Sequence, residues 1–246
     1  MRRYLAAFRV KGGSGTTTLT ANLAGGCAKR RLRVLAVDCD PAGALTWHLA
    51  ATAPALGVAD VLAGRVQLAA AVVPTEAHGL DLLAGSEALT EWDHRPQVAR
   101  AALTALIEQA SHLTHDLVIF DTAPTRGALL AGLLDVLPPA DSALLLPVRC
   151  RALDLAGFAQ AFDLLRDDGP PLLGIVPTVR RDALSRDVLA ALVEAHGDKV
   201  LPEVREASAV ARAPLKHLPV QYAAPHAAAL EDWERLTRAV LRRLER

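Results

Sequence analysis

Three short stretches of this chain gather residue types suited to phosphate chemistry. The first reads Lys11-Gly12-Gly13-Ser14-Gly15-Thr16-Thr17-Thr18, three glycines among hydroxyl residues after an apolar run. Glycines at this density let successive backbone N–H groups converge on one anion, and a helix opening at the threonines adds its positive N-terminus. A threonine hydroxyl at such a helix start is a ligand type for Mg²⁺. The strict GxxxxGK[ST] pattern fails here twice, because Val10 stands where its first glycine belongs and Thr16 where its lysine belongs. A Gly-rich strand-to-helix turn without a ligand is the other reading.

The second stretch, Asp38-Cys39-Asp40-Pro41, sets two carboxylates at the end of an apolar run. Such a pair can hold a metal-bound water and orient an attacking one. It is equally a solvated turn with a helix-capping aspartate. The third is Asp121 after Leu117-Val118-Ile119-Phe120. It has the form of a Walker B end, whose carboxylate accepts from the hydration shell of Mg²⁺. Aspartates also end strands without any ligand.

The elements that must position these residues alternate between apolar runs and helical patterns, which predicts a parallel sheet with crossover helices. Strands are expected over 4–10, 33–37, 80–84, 116–120, 142–147 and 172–177. Helices are expected over 17–31, 45–50, 58–63, 97–111, 127–137, 153–166, 183–195 and 227–244. Runs apolar throughout, such as Ala143-Leu144-Leu145-Leu146, fit a sheet covered on both faces. Ligands of such sheets sit beyond the carboxyl ends of the strands, where all three stretches fall. The expected architecture is α/β, a doubly wound, mostly parallel sheet flanked by helices, with residues 1–246 as a single domain. No N-terminal helix-turn-helix domain is expected before Tyr4.

Composition narrows the function classes. With 52% hydrophobic residues over 246 positions the chain can bury a large core and is not disordered. Lys+Arg 27 against Asp+Glu 27 leaves no polybasic tail, so any nucleic-acid contact must use a local patch. Cys27, Cys39 and Cys150 have no CxxC spacing, against a disulfide framework or zinc. No apolar run reaches the roughly 18 residues of a membrane span and no signal-peptide core is present, so a cytoplasmic location is expected. The histidines show no paired spacing, and Ser185 and the cysteines have no nearby triad pattern. Leu230, Trp233, Leu236, Val240 and Leu244 recur at helical spacing beside several arginines. Packing on the sheet is the expectation for that helix; a membrane-targeting helix is the sharper alternative.

Together the motifs resemble the ParA/MinD group of deviant-Walker P-loop ATPases, and the ParA-like DNA-partition branch in particular. The group's KGGxGKTT loop is matched at Lys11, Gly12, Gly13, Gly15, Thr17 and Thr18, and its DxDPQ motif at Asp38, Asp40 and Pro41. Its Walker B region is matched at Asp121, Thr122 and Pro124, and the likeness continues through Pro139-Ala140-Asp141, Leu184-Ser185-Arg186, Gly197-Asp198-Lys199-Val200 and Ala213-Pro214.

This resemblance implies a P-loop NTPase fold and a nucleotide-linked homodimer that takes ATP or ADP with Mg²⁺. Gly12, Gly13, Ser14, Gly15, Thr16, Thr17 and Thr18 would surround the phosphates. Lys11 would reach across the dimer to the partner's phosphates, Asp40 would activate the hydrolytic water, and Thr17, Asp38 and Asp121 would serve the metal. The resemblance also implies sequence-independent DNA binding by the ATP-held dimer, a ParB-like partner that stimulates hydrolysis, a nucleoid-associated location and no membrane.

The departures are as informative as the matches. Thr16 stands where the group has its cis phosphate-binding lysine, and Ala42 where it has glutamine. With only four lysines, composition accounts for Lys→Arg but not for Lys→Thr. Arg205-Glu206-Ala207-Ser208-Ala209 replaces a PRNVR-like segment that helps form the base pocket and DNA surface. Arg180, Arg181 and Arg186 fall where the group carries a DNA-binding arginine, and Arg205, Arg212 and Lys216 would extend a patch. Ordinary solvated side chains are the other reading of all six. The expectation is a partition protein with weak or impaired ATP hydrolysis. The alternatives are a degenerate, non-enzymatic module acting through dimerisation or partner binding, and, more distantly, a MinD-like membrane-positioning switch.

Overall fold

The computed structural model describes residues 3–9, 13 and 15–245. Eight strands are found among them: β1 (Arg3–Ala7), β2 (Val34–Cys39), β3 (Val72–Pro74), β4 (Leu80–Leu83), β5 (Leu117–Thr122), β6 (Ser142–Arg149), β7 (Leu172–Val179) and β8 (Val204–Arg205). They form one sheet in the order β3-β4-β2-β5-β1-β6-β7-β8. Only the β3–β4 pair is antiparallel. The helices are α1 (Thr16–Lys29), α2 (Ala44–Leu49), α3 (Val58–Leu62), α4 (Leu68–Ala71), α5 (Pro96–His112), α6 (Ala128–Val136), α7 (Ala152–Phe162), α8 (Ala183–His196), α9 (Ser208–Arg212), α10 (Val220–Ala223) and α11 (Leu230–Leu244).

Strand side chains alternate between two cores, as the two-residue period of a strand requires. Leu35 and Val37 of β2, Val118 and Phe120 of β5, and Leu144 and Leu146 of β6 pack toward one face, against α3, α5, α6 and α8. Val34 and Ala36, Leu117 and Ile119, and Ala143 and Leu145 pack toward the other, against α1, α2 and α11. This two-sided cover explains why the strands read as unbroken apolar runs. The last helix packs on the sheet side as well: Trp233, Leu236 and Val240 are buried. Thr237 comes so close to Gly26 of α1 that a Cβ there would collide with its Oγ1. No helix among the described residues is long and apolar enough to cross a membrane.

Several boundaries differ from the sequence reading, and two of the differences matter. β2 runs through Asp38 to Cys39, and β5 through Asp121 to Thr122, so both aspartates lie inside strands and not in the turns after them. Backbone pairing between these neighbours carries the ladder past the last apolar residue. β1 ends at Ala7, with Val10 outside the described residues. β3, β8, α4, α9 and α10 have two to five residues each, too short to show a period in the sequence.

Candidate functional site

The carboxyl ends of β1, β2 and β5, adjacent in the sheet, bring the three stretches together. Lys11, Gly12 and Ser14 lie outside the described residues. Gly13 and Gly15 adopt φ of 79° and 92°, the left-handed region in which a side chain is strained. Gly15 is the N-cap of α1, with no side-chain cap and no acidic residue in the first turn. The first-turn N–H groups of a helix have no intrahelical acceptor, so this end offers them to an anion.

Thr17 and Asp121 meet beneath that helix end, Thr17 Oγ1 donating to Asp121 Oδ2 at 2.7 Å. Thr20 Oγ1 donates more weakly to Asp121 Oδ1 at 3.4 Å. Asp38 is the register partner of Asp121 on the neighbouring strand. Burial pushes the Asp38 carboxyl up to about 6, and the nearby Asp40 adds to the rise against hydrogen bonds from Thr46 and Asp40. Burial and the Asp38 charge hold Asp121 well above the carboxylate range. A hydroxyl and a carboxylate this close are the hard oxygen donors that Mg²⁺ prefers.

Asp38 also holds the turn that follows β2. Its Oδ2 accepts from the Thr46 backbone N–H at 2.8 Å and from Thr46 Oγ1 at 2.7 Å, and its Oδ1 from the Asp40 N–H at 3.2 Å. Both oxygens are therefore engaged in shaping the turn, and Asp38 acts as its anchor. Thr46 completes this network by accepting from the Gly85 N–H at 2.8 Å. The sequence reading missed Thr46, and a lone threonine on a short helix carries no signal that could have found it. Asp40 is half-buried; its Oδ1 accepts from the Ala42 N–H at 2.8 Å, and no described residue bonds its Oδ2.

Two cavities open along the start of α1. One, of about 240 Å³, is lined by Gly13, Gly15, Thr16, Thr17, Thr18, Asp40, Thr122, Pro124 and Arg149. The other, of about 500 Å³, has Pro147, Val176, Val204, Val210 and Trp233 among its apolar walls and Arg151, Glu206 and Ser208 at polar positions. Gly15, Thr18 and Arg149 line both, so the two are contiguous. A polar, Gly-rich cavity that continues into a larger apolar one has the shape of a phosphate site beside a base site. The larger cavity takes in residues 205–208, the segment that the sequence reading linked to the base pocket.

The six basic residues expected to form a patch divide into groups. Arg181, Arg186 and Arg212 are exposed. Arg180 is exposed and ion-paired with Asp182 at 3.3 Å. Lys216 donates to the Ala223 carbonyl at 2.7 Å. Arg205 is turned inward, gripping the buried Asp232 of α11 through Nε at 2.5 Å and Nη2 at 2.8 Å, so its charge is already compensated.

An AAA-domain family model matches residues 2–171. The chromosome partitioning protein ParA of Caulobacter vibrioides is 33% identical over 220 residues, covering 82% of this chain and 79% of that protein. An uncharacterized protein of Mycobacterium tuberculosis is 30% identical over 223 residues, and the chain spans 66% of its length. Among solved structures, cobyrinic acid a,c-diamide synthase from Mycobacterium smegmatis with bound ADP and magnesium has a TM-score of 0.78 and 25% identity, with 100% of this chain and 96% of that one covered.

Proposed function

The chain belongs to the ParA/MinD family of P-loop ATPases, and from that premise we propose that it binds ATP or ADP with Mg²⁺ as a nucleotide-linked homodimer and partitions a DNA cargo. The observation that carries the nucleotide reading is the pair of contiguous cavities sharing Gly15 and Thr18 at an uncapped helix N-terminus. In this reading the amides of the 12–18 loop take the phosphates, and the larger cavity takes the base. Thr17 and Asp121 would hold Mg²⁺, which when bound would supply charge neutralisation at the phosphates.

Asp40 has a carboxylate oxygen that no described residue bonds, placed to accept a proton and orient an attacking water at the rim of the smaller cavity. Lys11 serves the partner's phosphates across the dimer. Thr16 is buried and neutral at the start of α1, so it adds no charge there. An ammonium 4 Å from a phosphate at an effective dielectric near 20 contributes up to about 4 kcal/mol before desolvation, or roughly a thousandfold in affinity. Binding is therefore weak unless another cation compensates, and hydrolysis is slow.

DNA binding in this proposal uses Arg181, Arg186 and Arg212 on phosphates without sequence preference, and a ParB-like protein stimulates turnover. The inward turn of Arg205 narrows that surface and favours, as a second reading, a member that acts through dimerisation or partner contact alone. Titration of the purified chain with labelled ATP and ADP, with and without Mg²⁺, separates the two. Mg²⁺-dependent saturation supports the first reading, and no binding of either nucleotide supports the second.

A further inference from the structure

The smaller cavity carries its own cation. Among the described residues that line it, Arg149 alone is basic, and Asp40 is the only carboxylate. Arg149 is the last residue of β6, half-buried, and paired in register with Thr178 of β7. Each neighbouring arginine has a carboxylate partner: Arg9 has Asp154 at 3.3 Å, Arg151 has Glu206 at 2.6 Å, and Arg205 has Asp232, although Arg9 leaves its Nε and Nη1 unbonded. The Arg149 guanidinium makes no hydrogen bond or ion pair with any described residue. Burial disfavours the charge of the neighbouring Arg9, Asp154 opposes that effect and the Arg149 charge adds to it, so the two guanidinium groups lie within electrostatic reach of each other. A partly desolvated, unpaired guanidinium is unfavourable until an anion completes it.

We propose that Arg149 is the cis phosphate-binding cation of this protein, supplying from the end of β6 the charge that Thr16 does not supply from the start of α1. The proposal rests on the nucleotide reading above and deepens it. A guanidinium presents a planar fork of donors matched to two phosphate oxygens, so it can replace an ammonium without occupying the same point. Its position fits the task, because Arg149 lines both cavities and stands where a bound nucleotide passes from phosphate to base.

The test is equilibrium binding of Mg-ATP by the full chain as wild type, Arg149→Ala, Arg149→Gln, Arg149→Lys, Thr16→Lys and Thr16→Lys/Arg149→Ala, with a thermal melt of each. Losing one charge-assisted phosphate contact weakens binding by about 10- to 100-fold. That loss is expected in Arg149→Ala and Arg149→Gln, with Arg149→Lys retaining most of the affinity. Thr16→Lys is expected to gain little alone but to restore the double variant to within about threefold of wild type. A side chain that only supported the fold would not be rescued from Thr16. Wild-type affinity in Arg149→Gln, or a loss that Thr16→Lys does not repair, overturns the assignment while leaving the nucleotide reading intact. If the wild type binds neither ATP nor ADP, the nucleotide reading itself fails and takes the Arg149 assignment with it.

Discussion

Asp38 of β2 and Asp121 of β5 are register partners on adjacent parallel strands, both fully buried, with no basic side chain among the described residues bonded to either. Burial strips both carboxylates of hydration, which is the main reason both hold protons more tightly than usual; the Asp38 charge adds to the rise at Asp121, and the Asp40 charge to that at Asp38. A divalent cation at Thr17 and Asp121 would reverse that balance. Asp121→Asn is therefore expected to stabilise the metal-free protein by about 1 kcal/mol, a rise of a few degrees in Tm. The same variant is expected to lose the Mg²⁺-dependent part of ATP binding. Melting curves without Mg²⁺, beside ATP titrations with and without it, check both halves; a lower Tm in the variant contradicts that cost of burial.

Thr46 ties the Asp38 turn to the segment after β4. Its hydroxyl donates to Asp38 at 2.7 Å and accepts from the Gly85 N–H at 2.8 Å. Removing the hydroxyl strands a buried N–H and weakens the hold on Asp38, a loss of about 2–3 kcal/mol. Thr46→Val is expected to show that loss in urea unfolding, while Thr46→Ser keeps the hydroxyl and loses about 1 kcal/mol for its methyl group. Equal losses in the two variants would locate the effect in packing.

His48 gives the fold an acid sensitivity. The ring is buried, and its Nε2 donates to the Leu218 carbonyl at 3.2 Å. Burial lowers its pKa to about 4, with the nearby His217 adding to the fall and the Leu218 bond opposing it. The folded state thus binds fewer protons at this ring than the unfolded chain does. The stability linked to it is complete above pH about 6.5 and is lost as pH falls toward 4, amounting to about 3 kcal/mol at most. Asp38, held near 6, acts in the opposite sense, so the readout is the difference between wild type and His48→Gln, in which that contribution cancels. Unfolding free energies at pH 7, 6, 5 and 4 should converge for the two proteins as the pH falls; parallel profiles would exclude the mechanism.

The basic residues separate by role. Arg205→Ala leaves the buried Asp232 carboxylate with Arg235, at 3.2 Å, as its cation and the residue-205 backbone N–H, at 3.1 Å, and is expected to destabilise the fold. Arg181→Ala and Arg186→Ala are expected to leave stability unchanged and to weaken duplex binding alike for all sequences, with a shallower salt dependence. Filter binding of two unrelated duplexes over a salt series, beside melts, checks this. A preference for one duplex would contradict backbone-only contact.

The apolar runs of β5 and β6 were readable because strands buried on both faces have nothing but apolar residues to show, and the loops after β1, β2 and β5 because glycines and aspartates punctuate them. The sequence did not reveal that Asp38 and Asp121 lie within the ladder, because hydrogen bonding between strands continues beyond the apolar residues that mark them. Nor did it reveal Thr46, His48 or Arg149. Each draws its importance from a partner, a burial or a cavity contributed by distant parts of the chain, and none has a residue type or spacing that signals this. Arg205 was misleading for the same reason, its pairing with Asp232 being set by the docking of α11 beside β8.

In the proposed Mg-ATP site the uncapped start of α1 takes the phosphates, the Thr17–Asp121 pair the metal and Asp40 the water. Phosphate release and ATP affinity, measured together on wild type and Asp40→Ala with and without Mg²⁺, test it most directly. The expected result is Mg²⁺-dependent ATP binding in both proteins, with slow turnover in the wild type that falls to background in Asp40→Ala, because Asp40 serves the water and not the phosphates. Absence of ATP binding to the wild type at millimolar nucleotide and Mg²⁺, or turnover undiminished in Asp40→Ala, would contradict it.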